Sequence, residues 1–227
     1  MDRRDPSRDT RDVGRRLGAS SKPIGTEAAK RQEKIIAAAI DKFHERSYAE
    51  TSVEDVANAV GILKGSIYYY IDSKEDLLYR ILDDVHSEVE EILERALARD
   101  DLAPLDRLAQ YIRDQVRYNA SNIKRISIYY HDLDQLSGTR HAAIRAKRKQ
   151  VEGDVVQLLR EAQRNGDIDA AMDVQLAANC AFGAVIWIYT WFKPGQKTSL
   201  VSLADFWSEF ILSGLRGVGE RVAIPDD

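Results

Sequence analysis

The sequence predicts an all-α protein of about nine helices, and three observations support this fold class. From Glu27 onward, apolar residues recur every three or four positions, which is the spacing of one face of a helix. No stretch alternates apolar and polar residues as a half-buried strand does, and no internal repeat is visible. The hydrophobic fraction of 44% and the charged fraction of 31% are typical of a chain that forms a packed core.

Local signals predict the helices of the N-terminal half. One face of the first helix is apolar: Ile36, Ala39, Ile40 and Phe43. A second helix is expected to begin at Thr51, with Glu54 completing a capping box, and Gly61 is expected to end it. A short helix, Lys64–Ile71, follows. Ser73 then starts a long fourth helix, which we expect to run to about Arg99.

The C-terminal half is predicted to contain five more helices. Pro104 suits the first turn of the fifth helix, whose apolar face holds Leu105, Leu108, Ile112 and Val116. Glycine-containing breaks separate the remaining segments, because glycine commonly ends a helix. These segments are Asn122–Leu136, Thr139–Arg164, Asp173–Phe192 and Ser199–Leu215.

Composition excludes several classes of protein. The one cysteine, Cys180, rules out an intramolecular disulfide and favours a reducing, cytoplasmic location. The stretch Met1–Ser20 is charged and lacks the apolar core of a signal peptide. The apolar run Ala177–Phe192 falls short of the roughly 20 residues that a membrane span needs. We therefore expect a cytoplasmic protein with no membrane partner.

The N-terminal arm, residues 1–24, has a basic excess although the net charge of the chain is −4. Its basic residues outnumber its four aspartates: Arg3, Arg4, Arg8, Arg11, Arg15, Arg16 and Lys22. It holds almost no apolar residues, so we expect it to be flexible. Two interpretations stay open, a basic arm that touches DNA and a solubilising tail.

Two short helices joined at Gly61 form a candidate helix-turn-helix. Ala57 is small at the point where the two helices must approach closely, and glycine permits the sharp turn between them. With Ile62 and Ile67 facing the core, the polar residues of the second helix remain available to a major groove. Two-helix hairpins are common in all-α proteins, so this geometry alone favours DNA binding only weakly.

The sequence Thr51–Leu78, which reads TSVEDVANAVGILKGSIYYYIDSKEDLL, resembles the DNA-binding signature of the TetR family. The resemblance covers about Glu27–Leu82. It implies a homodimeric, all-helical regulator, usually a repressor, that leaves its pseudo-palindromic DNA operator when a small molecule binds the C-terminal body. Tyr70 stands where the family often has histidine, and Ile71 stands where it often has phenylalanine.

The resemblance implies contacts to the DNA backbone at two helix starts. Thr51 and Ser52 are expected to donate to a phosphate at the start of the second helix, which the helix dipole also favours. Lys74, at the start of the fourth helix, is expected to act as a phosphate clamp.

The resemblance also implies a recognition surface after Gly61. Lys64 is expected to reach a guanine edge or a phosphate, while Gly65 and Ser66 let the backbone lie close to the groove. We expect Tyr68 to contact a phosphate and Tyr69 to contact a base or a thymine methyl group. For each tyrosine, simple packing is the alternative.

The last two helices are expected to form a homodimer interface. Asp173–Phe192 is apolar nearly all round, which a helix facing water cannot tolerate. The last helix carries an apolar stripe of Leu200, Leu203, Trp207, Phe210 and Ile211. Pairing both helices with their symmetry mates, as in the family, would bury both faces.

The middle of the body is rich in aromatic residues with polar tips, which can line a pocket for a small-molecule effector. The expected ligand-binding residues are Tyr111, Tyr130, Arg145, Trp187 and Trp191. Ordinary core packing is the alternative for each of the aromatic residues, and a solvated helix face is the alternative for the basic residue. The segment Trp191–Gly195 resembles TetR-family regulators of lipid or steroid breakdown, whose effectors are acyl- or steroid-coenzyme A thioesters.

No residues suggest an enzyme. The four histidines form no metal-spaced pair, and Cys180 in its apolar stretch predicts an inert, buried thiol. We therefore expect no catalytic residue, no metal and no cofactor. The expected organisation is an arm over residues 1–24, a DNA-binding domain over 25–72 and an effector-binding and dimerisation domain over 73–227. A helical interaction or scaffold protein without DNA activity is the alternative function.

Overall fold

The structure is a computed structural model that describes residues 25–195 and 198–217. Within these residues all regular secondary structure is helical, which confirms the predicted fold class. The helices are α1 Thr26–Glu50, α2 Val53–Val60, α3 Lys64–Ile67, α4 Lys74–Leu97, α5 Pro104–Ser121, α6 Ile123–Asp132, α7 Gly138–Asn165, α8 Val174–Ile186, α9 Ile188–Trp191 and α10 Leu200–Gly217. Since α8 and α9 form one helix bent at Trp187, the described part of the chain contains nine α-helices. The predicted basic arm, residues 1–24, lies outside the described residues.

The first three helices pack together on the N-terminal half of α4. Their shared core contains Ile35, Ala39, Phe43, Val56, Ala57, Ile67, Leu77 and Ile81. The buried stripe of α1 therefore centres on Ile35, which lies one residue before the predicted Ile36. Ile36 and Ile40 lie at the edge of this stripe and are only partly buried. Ala57 is fully buried, as expected for the point where two helices approach closely.

The start of α2 differs by one residue from the prediction. Ser52, not Thr51, caps the helix, and its hydroxyl accepts a hydrogen bond from the Asp55 amide at 3.1 Å. The Asp55 carboxylate accepts one in return from the Ser52 amide at 2.8 Å, so Asp55 replaces Glu54 in the capping box. Gly61 ends α2 with a φ of 73°, a left-handed conformation that glycine adopts without strain.

Helix α6 joins the N-terminal helices to the rest of the body. Its buried residues Ile126, Ile128 and Tyr129 belong to the same hydrophobic cluster as the core of α1–α4. A second cluster packs α5, α7, α8 and α10 around the C-terminal half of α4. Helix α4 contributes to both clusters, so α4 and α6 are the structural link between the two ends of the molecule.

One face of the last helices is apolar and exposed in the single chain. Leu203 and Ile211 of α10 are buried, whereas Phe206 is 61% exposed and Phe210 is 66% exposed. The stripe predicted on α10 is therefore divided between the interior and the outer surface. Cys180, which was expected to be buried, is exposed on α8.

The segment Val174–Trp191 has the length and composition that a membrane span also shows, and 22% of it is buried within the chain. It starts at Asp173, whose carboxylate accepts hydrogen bonds from two backbone amides of the first turn. Val174, Ala178 and Val185 pack inward against the body, while Leu176 and Trp187 point out. One face of this segment therefore packs against the body and the other face is exposed, although apolar residues lie on all sides of the helix.

Candidate DNA-binding surface and effector cavity

The residues that follow Gly61 form an exposed surface on α3 and the turn after it. Only Ile67 of this helix is buried, and it anchors α3 to the core of the first four helices. Tyr69 is 71% exposed and Tyr68 is 50% exposed. The aromatic rings of this surface therefore face solvent, although ordinary packing would bury them.

Tyr69 is held from one side by its neighbour. Its ring meets the Tyr70 ring edge-on, with a centroid separation of 5.1 Å and an interplanar angle of 83°. The Tyr70 carbonyl accepts a hydrogen bond from the Arg80 guanidinium on α4 at 3.3 Å. Ile71 is buried and anchors this turn to the core of the first four helices. The Tyr69 side chain is thus exposed, while Tyr70 packs against one side of its ring. This arrangement suits a side chain that contacts a binding partner.

The small residues of α3 are accessible from outside. Gly65 is exposed, and a Cβ atom at this position would meet nothing within 4 Å among the described residues. Its φ is not positive, so neither the fold nor the backbone conformation requires a glycine here. The space beside Gly65 is therefore open to a surface that approaches from outside. Ser66 beside it is also exposed.

Lys64 forms an ion pair with Glu54 of α2, with an Nζ to Oε2 distance of 3.1 Å. Both side chains are more than half exposed, and a pair of this kind contributes at most about 1 kcal/mol. The ammonium can therefore exchange Glu54 for a phosphate or a base edge at little cost.

Leu63 is a surface residue that the sequence reasoning missed. It immediately precedes α3 and is 79% exposed, the highest exposure among the large apolar side chains of the described residues. The signal that could have found it is the spacing of Ile62 and Ile67, which turn inward and leave Leu63 outside. An apolar side chain at this position can contact a thymine methyl group.

Ser52 lies exposed at the start of α2, where backbone amides and the helix dipole favour an anion. Its hydroxyl also donates to the Asp55 carboxylate at 2.6 Å. This hydrogen bond is the largest of the interactions that lower the pKa of Asp55. The carboxylate is therefore ionised at neutral pH, and a phosphate contact requires the Ser52 hydroxyl to rotate away from it.

Thr51 does not face outward, and the expected phosphate contact from its side chain is wrong. It is 1% exposed, and its hydroxyl lies 2.8 Å from the Ser47 carbonyl and 3.1 Å from the Lys42 carbonyl. These carbonyls lie near the end of α1, where Ser47 adopts a φ of 73° and interrupts the helix. Thr51 thus stabilises an irregular helix end.

Lys74 also stabilises this helix end, a role that the expected phosphate clamp does not account for. Its ammonium donates to the carbonyls of Tyr48 and Thr51, each at 2.9 Å, and lies 3.5 Å from that of Ala49. It also lies 4.3 Å from the centre of the Tyr48 ring. The ammonium thus connects the first turn of α4 to the end of α1.

A cavity of about 70 Å³ lies inside the body, between α4, α5, α6, α7 and α8. Of the predicted ligand-binding residues, Tyr111 and Tyr130 line it. Arg145, Trp187 and Trp191 do not: Arg145 is exposed on α7, Trp187 is 62% exposed and Trp191 is 39% exposed. The structure therefore does not place these three residues in the cavity: both tryptophans lie on the exposed face of the last helices, and Arg145 lies on the outer surface of α7.

Several polar lining residues escaped the sequence reasoning. His86 comes from α4, Gln115 and Asn119 come from α5, and all three are buried. The Gln115 amide donates to the Asn119 side-chain oxygen at 2.8 Å, and the Asn119 amide donates to the Val185 carbonyl at 3.1 Å. Gln115 and Asn119 lie four residues apart on one helix among apolar residues, and this spacing was the available signal.

Polar contacts tie the N-terminal helices to the helices that carry the cavity. Glu75 of α4 accepts hydrogen bonds from the amide and the hydroxyl of Ser137, at 2.8 and 2.9 Å, just before α7. The Arg140 guanidinium of α7 lies 3.4 Å from the Asp76 carboxylate of α4. Between α1 and α6, His44 and Ser127 share a hydrogen bond of 2.8 Å. These contacts connect α6 and α7 directly to the first four helices.

Two family profiles match the chain. The profile described as bacterial regulatory proteins of the tetR family matches residues 35–81, which contain α2, α3 and the exposed surface after Gly61. The profile described as the tetracyclin repressor-like C-terminal domain matches residues 101–215, which contain most of the cavity and the exposed apolar face.

Relatives and solved structures agree with these profiles. The HTH-type transcriptional repressor KstR2 of Rhodococcus jostii is 26% identical over 190 residues, which cover 82% of this chain and 91% of that protein. The crystal structure of the TetR-family regulator PfmR from Thermus thermophilus superposes with a TM-score of 0.73 at 28% identity, covering 80% and 98% of the two chains. AibR, solved in complex with isovaleryl coenzyme A and operator DNA, has a TM-score of 0.71 at 26% identity, covering 82% and 98%.

The two profiles describe the N-terminal and C-terminal domains of one family. The first covers the exposed surface of α3 and the capped α2, and the second covers most of the cavity. These matches set aside the alternative of a scaffold protein without DNA activity. The chain belongs to the TetR family of bacterial regulatory proteins, which are DNA-binding transcriptional regulators and not enzymes.

Proposed function

We propose that this protein is a cytoplasmic repressor that binds a pseudo-palindromic operator as a homodimer and leaves it when an effector enters the cavity. In this proposal residues 25–72 bind DNA, and residues 73–227 bind the effector and dimerise. One observation carries the proposal: α4 lines the cavity with Val85, His86 and Val89 and begins directly after the exposed recognition surface. A ligand in the cavity therefore contacts the helix that positions the DNA-binding residues.

The proposed DNA contacts come from the exposed side chains around α3 and from the start of α2. They are Ser52, Leu63, Lys64, Gly65, Ser66, Tyr68 and Tyr69. Tyr69 is the residue that we assign to a base, because its exposed ring is supported on Tyr70 and can enter a major groove. Lys64 and Ser52 are assigned to phosphates or base edges.

Replacing Tyr69 with alanine is expected to weaken binding to the operator by about 1–3 kcal/mol, because one base contact is lost. Binding to unrelated DNA should change little, since that binding depends on phosphate contacts. Titration of labelled operator and of a scrambled duplex at the same salt concentration measures both affinities. Tyr79→Ala provides a control, because Tyr79 lies on α4 and pairs with Arg140 within the protein. If the Tyr69→Ala variant binds the operator with wild-type affinity, Tyr69 does not make the proposed base contact.

Dimerisation is assigned to the exposed face of α8–α10. Phe206 and Phe210 are stacked with a centroid separation of 6.0 Å, and both face outward. Trp207 between them is partly buried, and its indole N–H donates to the Ala184 carbonyl at 2.9 Å. Trp207 thus fixes α10 to α8 within one chain, whereas the two phenylalanines are available to a second chain. A continuous exposed patch of this kind marks an interaction surface.

The effector signal is proposed to travel through α4 and α6. Ile126, Tyr129 and Tyr130 of α6 line the cavity, while Ser127 on the same helix bonds to His44 of α1. An effector that displaces α6 would therefore shift α1 and, with it, the helix-turn-helix. Because two half-sites must lie one helical turn apart on DNA, a small rotation in each copy is enough to weaken operator binding.

The size of the cavity favours a short acyl group as the inserted part of the effector. Pockets for drug-sized ligands measure about 300–1,000 Å³, so a cavity of about 70 Å³ must expand even for a small ligand. Arg148 lies at the more exposed end of the cavity, where the polar part of a coenzyme A thioester could remain outside. The isovaleryl coenzyme A complex of AibR has this combination of a short acyl group and a large polar part.

The test is to titrate coenzyme A thioesters of increasing acyl length, and the corresponding acids, into the preformed protein–operator complex. We expect short-chain thioesters to release the operator, and a tenfold loss of affinity corresponds to about 1.4 kcal/mol of coupling. Val89→Phe, which fills the cavity, should remain bound to the operator in the presence of the thioester. Equal release by thioesters and acids would remove the coenzyme A part from the proposal. No release by either would refute this effector class.

A further inference from the structure

The cavity contains buried polar atoms that have no hydrogen-bond partner within residues 25–195 and 198–217. His86 is 3% exposed, and neither nitrogen of its ring has a hydrogen-bond partner, although Nδ1 lies 4.0 Å from the Glu90 carboxylate. Gln115 is 7% exposed, and its side-chain oxygen is unpaired although its amide donates to Asn119. The great majority of buried polar groups in proteins are paired, so atoms of this kind in a cavity are available to an ordered water or to a ligand that replaces it.

Apart from one ion pair, the rest of the cavity lining is apolar or uncharged. Burial raises the pKa of the Tyr111 and Tyr130 phenols, so both stay protonated at neutral pH. Burial also lowers the pKa of the His86 imidazole, which is therefore neutral and offers one donor and one acceptor. Arg148 and Glu152 neutralise each other, with a distance of 2.8 Å between the guanidinium and the carboxylate.

This lining disfavours an ionised group inside the cavity. A carboxylate placed there would lose its hydration without gaining a cation of its own, and such burial is costly. A purely apolar group would leave the His86 and Gln115 atoms unpaired. A carbonyl group would accept a hydrogen bond from the imidazole N–H, but it could donate nothing to the Gln115 oxygen.

We propose that the part of the effector that enters the cavity carries a hydroxyl group, and that His86 and Gln115 bind it. The hydroxyl donates to the Gln115 side-chain oxygen and accepts from the imidazole N–H of His86. Both side chains line the same cavity, whose volume is about 70 Å³. This inference rests on the proposed function, because it takes the cavity to be the effector site, and it narrows the effector to hydroxyacyl thioesters.

The position of His86 connects the hydroxyl to the DNA-binding surface. His86 lies on α4 and packs edge-on against Tyr129 of α6, with a centroid separation of 6.2 Å. A ligand that binds the imidazole is therefore attached to α4 at the point where α4 packs against α6. A ligand without the hydroxyl fills the same space but lacks this attachment to α4.

The test compares two thioesters of the same chain length, butyryl coenzyme A and 3-hydroxybutyryl coenzyme A, in binding and in operator release. With the wild-type protein we expect the hydroxylated ligand to bind at least tenfold more tightly. In Gln115→Leu and His86→Leu the two ligands should bind with similar affinity. Gln110→Leu is the matched control, because Gln110 lies on the same helix outside the cavity and pairs with Asp114.

The outcomes separate the hydroxyl inference from the proposed function. Equal affinity of the two thioesters for the wild-type protein would overturn the inference and leave the proposed function intact. If neither thioester binds, the proposed effector class is refuted, and titration of 1,3-butanediol and phenol decides the inference. Binding of either compound that is lost in Gln115→Leu would support a hydroxyl site, and no binding would overturn it. Thermal unfolding of each variant verifies that it is folded.

Discussion

A chain in which glutamate replaces Phe210 is expected to be monomeric and to lose operator binding. Phe210 is 66% exposed in the single chain and stacks on Phe206 at the centre of the apolar face that we assign to the dimer. A carboxylate buried there against a second copy would be desolvated without a partner. Because the two DNA-binding domains of a dimer bind cooperatively, we expect operator affinity to fall by about 100-fold or more.

Sedimentation velocity and operator titration of the Phe210→Glu protein measure the two effects. Gln157→Glu is the matched control, since it adds the same charge at an exposed position of α7. It should remain dimeric and bind the operator as the wild type does. A Phe210→Glu protein that stays dimeric with full operator affinity would place the interface elsewhere. Trp207→Glu is a less informative variant, because Trp207 also holds α10 to α8 within one chain.

Replacing Lys74 with methionine is expected to destabilise the DNA-binding domain by about 2–4 kcal/mol. The variant keeps most of the aliphatic side chain but removes hydrogen bonds from a charged donor to the Tyr48 and Thr51 carbonyls. It also removes the cation–π contact with the Tyr48 ring. The carbonyls at the end of α1 would then lack their donor, so the melting temperature should fall.

The salt dependence of operator binding distinguishes this role from a phosphate clamp. Loss of a phosphate contact would lower the slope of log affinity against log salt by about one for each half-site. We expect the slope of Lys74→Met to match that of the wild type at temperatures where both are folded. Lys149→Met, at an exposed position of α7, controls for the loss of one positive charge. If the melting temperature is unchanged and the slope of log affinity against log salt is lower, Lys74 contacts a phosphate of the operator.

Two residues illustrate where sequence reasoning about the DNA-binding site fails. The motif places Thr51 and Lys74 at helix starts, and helix starts commonly bind phosphates. In the structure both side chains instead satisfy carbonyls at the end of α1, which is interrupted at Ser47. The interruption has no signal in the local sequence, so the need for these two donors was not visible.

Prediction of the cavity residues from the sequence was also only partly correct. Tyr111 and Tyr130 were identified because aromatic residues with polar tips are suited to pockets, and the structure places both in the lining. Trp187 and Trp191 have the same chemistry but lie on the outer side of a helix bend. Residue type alone cannot distinguish an internal surface from a dimer face, because both are apolar.

Local sequence signals are sufficient to predict the all-α fold, most of the helix bounds and the position of the helix-turn-helix. These features depend on interactions between residues a few positions apart, such as caps, glycine turns and the spacing of apolar residues. Local signals do not show which hydrogen-bond donors turn inward to backbone carbonyls, or that five helices enclose His86 and Gln115. Partners such as Lys74 and Tyr48 lie far apart in the sequence, and the packing of the helices brings them together.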